Sequence, residues 1–288
     1  MVDQRLTGNF CEQEIPDSIF KQPISFWTNL AFLATSLWIL LWTDYLAAKA
    51  HDDKSSIRPQ DLFYATAYGF LSLWLGPASM VYHGALTEFG RLIDNAAILW
   101  WSSFVMQYEI YRRFVVEPQS THGRSANGKM KFVTFLGSSM VAFTLLFWYL
   151  PETRNGISIA ALGTSAFVLC WPPFYSRMRY RCRRIIIKAT RHAGDSCSDT
   201  VGKNDTVHGA RKPDDNVKFL VLGFCAYGFG LVFWTLEQRI WFDCPTTHYY
   251  QHHGLWHIGC AFASLFLYYH MFVCRDQSAG GSQLGGKC

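Results

Sequence analysis

A chain of 288 residues, half of them hydrophobic and 17% aromatic, fits either one large soluble domain or a compact bundle of membrane helices. Charged residues make up only 16% and avoid whole stretches of about 20 residues, the length an α-helix needs to cross roughly 30 Å of hydrocarbon. The net charge of +5 gathers between those stretches, which argues against a nucleic-acid partner and for a basic surface beside anionic lipid.

In chain order, a non-cytosolic segment is expected at 1–24, of which residues 1–22 are polar and carry Asp3, Glu12, Glu14 and Asp17, so no cleavable signal peptide is expected and the first span must itself direct insertion. Seven apolar stretches follow, at about 25–47, 61–82, 92–111, 132–150, 157–175, 218–236 and 252–273. Gly137, Gly223, Gly228 and Gly230 recur within them, as expected where helices must approach closely in lipid. Trp and Tyr collect near several ends like an interfacial belt. The predicted fold is therefore all-α, a seven-transmembrane helix bundle over 25–273. Between its fifth and sixth spans lies a basic, polar loop at 176–217, and a Gly/Ser-rich tail at 274–288 reads as flexible linker.

Basic residues set the orientation, because cytoplasmic loops retain Lys and Arg. The amino-terminal segment and the loops after spans two, four and six hold only Arg5, Lys21, Arg91, Arg154 and Arg239, and the alternate set holds the other 21 of 26. The amino terminus is thus predicted outside the cytosol and the carboxy terminus inside. The same map puts the glycosylation sequon Asn204-Asp205-Thr206 in the cytosolic 176–217 loop, where it stays bare.

Polar and ionisable residues at span edges are costly and point to function. Span two ends with Ser79 and His83, span three begins with Asp94, and span seven begins with His252-His253-Gly254-Leu255-Trp256-His257. All three edges fall on the predicted non-cytosolic face. His253 and His257, four apart, project from one side of a helix, and His83 is the natural third member of a three-ligand zinc site with an open fourth position. Competing bland roles are interfacial packing for the histidines, helix-dipole pairing for Asp94 and backbone hydrogen bonding for Ser79.

These pieces resemble the alkaline ceramidase family, within the wider group of seven-span hydrolases and receptors. The matching residues are Cys11-Glu12, Phe26-Trp27-Thr28-Asn29, Ser79-x3-His83, Leu92-Ile93-Asp94 and His253-x3-His257, spread over nearly the whole chain. The resemblance implies a catalytic zinc held by His83, His253 and His257 that hydrolyses the amide of ceramide to a sphingoid base and a fatty acid. It implies Asp94 as general base then acid and Ser79 as oxyanion donor. It further implies a disulfide between Cys11 and Cys244 and an integral position in the endoplasmic reticulum or Golgi membrane with a luminal site. The partner is then the membrane lipid; no protein partner is legible.

Family members share an amino-terminal calcium site of Asp, an aromatic carbonyl, Glu, Asn and a later Glu. The corresponding positions here are Asn9, Phe10, Glu12, Glu14 and Gln22, so two carboxylates replace three, and one residue fewer separates Cys11 from Gln22. Fewer ligand charges weaken calcium binding. Two rival functions share the same ligands: a phospholipase-like esterase that remodels glycolipid anchors, and a non-enzymatic receptor with structural zinc. The receptor branch resembles this chain turned over in the membrane.

Overall fold

The computed structural model describes residues 12, 15, 17–52, 59–112, 127–150, 161, 164, 165, 168, 217–237 and 251–273. Among them the chain is helical, without strands. The helices are α1 (Pro23–Thr28), α2 (Leu30–Asp52), α3 (Pro59–Ala85), α4 (Glu88–Tyr111), α5 (Asn127–Tyr149), α6 (Val217–Glu237) and α7 (His252–Tyr268). A π-helical turn, Tyr269–Val273, continues α7.

Among the described residues, four helical stretches are long and apolar enough to cross a membrane: Pro23–Lys49, Gly128–Tyr149, Val217–Leu236 and His252–Val273. They coincide with the first, fourth, sixth and seventh predicted spans. α3 and α4 coincide with the second and third, and at 27 and 24 residues they exceed the length of a span. Both are less apolar than those four, and several of their polar residues are buried in the bundle: Ser72, Ser79, Asn95, Gln107 and Glu109. The fifth predicted span lies outside the described residues apart from four helical positions. One of these, Ser165, donates to the Ser102 carbonyl of α4 at 2.9 Å.

The first span is not one uninterrupted helix. Pro23 opens α1, where its missing N–H costs nothing. The chain then turns at Asn29, whose amide nitrogen donates back to the Ser25 carbonyl at 2.7 Å, before α2 begins. Gly76 of α3 lies against this junction: a Cβ there would sit 3.2 Å from the Asn29 carbonyl oxygen.

α3 and α4 form a tight hairpin joined only by Leu86 and Thr87. Leu86 takes φ 50°, a left-handed conformation uncommon for a residue with a side chain. The Thr87 hydroxyl caps α4 by accepting from Gly90 N at 3.0 Å. Gly90 lets the two helices meet, since a Cβ there would come within 2.9 Å of the Tyr82 Cα. This hairpin brings the end of α3 and the start of α4 to one level.

In the bundle centre, polar groups tie α3, α4 and α7. Tyr68 donates to the Ser264 carbonyl at 2.8 Å, Ser72 and Ser264 hydroxyls meet at 2.9 Å, and Trp101 Nε1 donates to Ser72 at 3.1 Å. All four residues are buried. In an apolar setting such bonds specify which helix faces meet. Thr43 gives its proton to the Ile39 carbonyl at 2.7 Å, so the Tyr268 hydroxyl at 2.7 Å donates to it and links α2 to α7.

α6 and α7 cross at glycines. A Cβ on Gly259 would fall 2.8 Å from the Ala226 carbonyl and 2.9 Å from the Gly230 Cα, both backbone atoms that cannot swing aside. Gly259→Val should therefore destabilise the detergent-solubilised protein by the roughly 1–3 kcal/mol typical of overpacking, read as a lower thermal midpoint. Gly228→Ala, where a Cβ meets nothing within 4 Å, should not lower it. Equal losses in the two variants would contradict the close crossing.

Candidate metal centre

The hairpin and α7 deliver three imidazoles to one point. His83 sits in the last turn of α3 and is wholly buried; His253 and His257, one turn apart at the start of α7, are 5% and 4% exposed. The candidate ligand atoms of all three lie within 4.8 Å of one another, so the triad could hold a metal ion. His83 Nε2 and His253 Nε2 face each other at 3.2 Å. The ring centroids are 4.8 Å (His83 and His253), 5.1 Å (His83 and His257) and 4.5 Å (His253 and His257) apart.

α1 supports the triad from behind. The Thr28 hydroxyl has one proton, and the carbonyls of Ile24 and Ser25 accept it at 2.9 and 3.1 Å. Towards His257 Nδ1, 3.2 Å away, that oxygen is therefore an acceptor, so Nδ1 carries the ring proton and Nε2 keeps its lone pair. α1 can lie this close because α7 has Gly254 at the contact, where a Cβ would be 2.9 Å from Thr28 Cγ2. The glycine inside the His-Gly-Leu-Trp-His run thus makes room for the residue that orients His257.

Ser79, one turn before His83 and buried, stands within interaction range of Asp94 of α4, and so does His253. The structure thus brings together all five residues singled out for zinc chemistry, His83, His253, His257, Asp94 and Ser79.

Of the predicted calcium set, Asn9, Phe10 and Glu14 lie outside the described residues. Glu12 and Gln22 do not, and both use their oxygens on the protein. The buried Glu12 carboxylate accepts from Ile24 N at 2.7 Å, from Ser25 N at 3.0 Å and from the Ser25 hydroxyl, capping the start of α1. The Gln22 carbonyl oxygen is 2.6 Å from His83 Nδ1. Cys11 and Cys244, the predicted disulfide, also lie outside the described residues; Cys225 and Cys260 are free thiols.

Thr28 and Ser25 carry roles that sequence reasoning did not assign. Thr28 stands in the Phe-Trp-Thr-Asn run, but nothing in that run shows that its hydroxyl meets a histidine 229 positions later. No known family model matches the chain, and no curated protein matches it.

A site built this way should take up one divalent ion per chain. His253→Ala or His257→Ala should lower affinity by well over the roughly 10- to 100-fold that loss of a supporting hydrogen bond costs, measured by competition with a chromophoric chelator. Uptake by both variants equal to that of the unaltered chain would show that the triad is not the ligand set.

Proposed function

We propose that this chain is a zinc-dependent amidase that cleaves the amide of ceramide at the non-cytosolic end of its helix bundle, in the endoplasmic reticulum or Golgi membrane. The observation that carries the reading is the convergence of three buried imidazoles beside a serine and an aspartate. Two nitrogens bound to one tetrahedral zinc at about 2.0–2.1 Å stand about 3.3 Å apart, and His83 Nε2 and His253 Nε2 are 3.2 Å apart. Imidazole suits zinc, whereas magnesium and calcium prefer oxygen donors.

When bound, zinc in an open three-histidine site acidifies a water and polarises a carbonyl, the two things an unreactive amide needs. Asp94 is the proton carrier. Its carboxylate takes the proton of the attacking water and gives it to the leaving nitrogen, so the amine departs neutral. Ser79 donates to Asp94 in the resting site; once Asp94 has taken the proton, the Ser79 hydrogen is released to the developing oxyanion. Ser79 is not the nucleophile, because the water fills that part.

The apolar helix surfaces suit acyl and sphingoid chains, with the amide held at the level of the triad near the interface. Glu12 and Gln22 accept from protein donors, and the hydrolytic steps are assigned to the residues of the histidine site alone.

With ceramide in mixed micelles, chelation should abolish turnover and zinc should restore it. Asp94→Asn should keep zinc and lose about 10²- to 10⁴-fold in kcat, the usual worth of a positioned acid or base. Full activity in Asp94→Asn removes that residue from the mechanism. Cleavage of a phospholipid ester with no cleavage of ceramide would turn the assignment to a lipid esterase, and no hydrolysis of either by zinc-loaded protein would favour the receptor.

A further inference from the structure

Gln22 is 1% exposed, and its side-chain oxygen lies 2.6 Å from His83 Nδ1. A carbonyl oxygen has no hydrogen to give, so the imidazole must donate. The His83 ring proton is thereby placed on Nδ1, and the lone pair on Nε2, the nitrogen that faces His253 inside the triad. An imidazole without such an acceptor behind it divides its population between two tautomers and turns more freely.

The backbone beside Gln22 is tied independently of its side chain. Gln22 N donates to the His83 carbonyl and Lys21 N to the Gly84 carbonyl, each at 3.0 Å. These two bonds satisfy carbonyls that the end of α3 leaves without helical partners. Glu12 holds the same segment from the other side by capping α1. The main chain therefore keeps the segment in place, and the amide group of Gln22 is left with the separate task of addressing His83.

We infer that Gln22 is a positioning residue for the metal, fixing His83 as the Nδ1–H tautomer and aiming Nε2 at the ion. A position that the family resemblance gives to calcium thus serves the histidine site directly in this chain. Acceptors behind ligating imidazoles raise their basicity and fix their orientation, and removing one typically costs about 10- to 100-fold in metal affinity.

The inference rests on the metal reading of the site but not on its hydrolytic chemistry, so its test is binding. Full-length protein in detergent is titrated with zinc against a chromophoric chelator as the unaltered chain, as Gln22→Leu and as Gln22→Glu. Gln22→Leu keeps the size of the side chain without the acceptor and should lose about 10- to 100-fold in affinity. Gln22→Glu keeps an acceptor and should bind at least as well as the unaltered chain.

Wild-type affinity in Gln22→Leu, or equal losses in both variants, overturns the inference while leaving the metal site standing. No zinc uptake by the unaltered chain removes both. Should Gln22→Leu fail to fold, nitrogen-15 spectra of the histidine-labelled unaltered protein decide the matter: a His83 ring protonated at Nδ1 is the expected result, and a bare Nδ1 overturns it.

Discussion

Burying His83, His253 and His257 takes three imidazoles out of water inside an apolar bundle, where a polar nitrogen without a partner is expensive. For His83 and His257 the fold meets this demand with acceptors behind the rings, and it turns nitrogens toward one another in front. Gln22 stands behind His83 and Thr28 behind His257, while His83 Nε2 and His253 Nε2 face each other at 3.2 Å. Two lone pairs this close repel unless a proton or a cation lies between them. A shared proton answers that requirement, and so does a metal ion, which the triad could hold.

Small residues make the convergence possible. Gly254 admits Thr28 to α7, Gly76 admits the α1–α2 junction to α3, and Gly90 closes the α3–α4 hairpin. Each sits where a methyl group would collide with, or press against, the neighbouring helix. In lipid, where apolar surface gains little by leaving its surroundings, close backbone approach and buried hydrogen bonds select the packing. The Tyr68, Ser72, Ser264 and Trp101 network then joins α3, α4 and α7, the three helices that carry the site.

Much of this was legible in the sequence because hydropathy and periodicity report helices well. The histidine pair at separation four predicted a shared face, and counting spans put His83 and Asp94 at the same end. Element ends were less legible. α4 starts at Glu88 rather than near 92 because Thr87 supplies a cap, and a polar first turn does not register as membrane span. α5 begins at Asn127 rather than 132 for the same reason, its first turn carrying Lys129 and Lys131. The break at Asn29 and the π-helical turn after Tyr268 have no periodic signature. What the sequence could not display were contacts across long separations, such as Gln22 with His83 and Thr28 with His257, because a lone polar residue does not name its partner. Glu12 stands out in sequence only as a calcium candidate, and its capping of α1 is a role that the fold adds.

The most direct test of the account is X-ray absorption at the zinc edge on the purified, zinc-loaded chain. Three imidazole nitrogens at about 2.0–2.1 Å, with one further light atom and no sulfur, are the result predicted for a catalytic three-histidine site. A spectrum with fewer than three imidazoles, or with thiolate sulfur near 2.3 Å, would contradict the assignment of His83, His253 and His257 as one metal site.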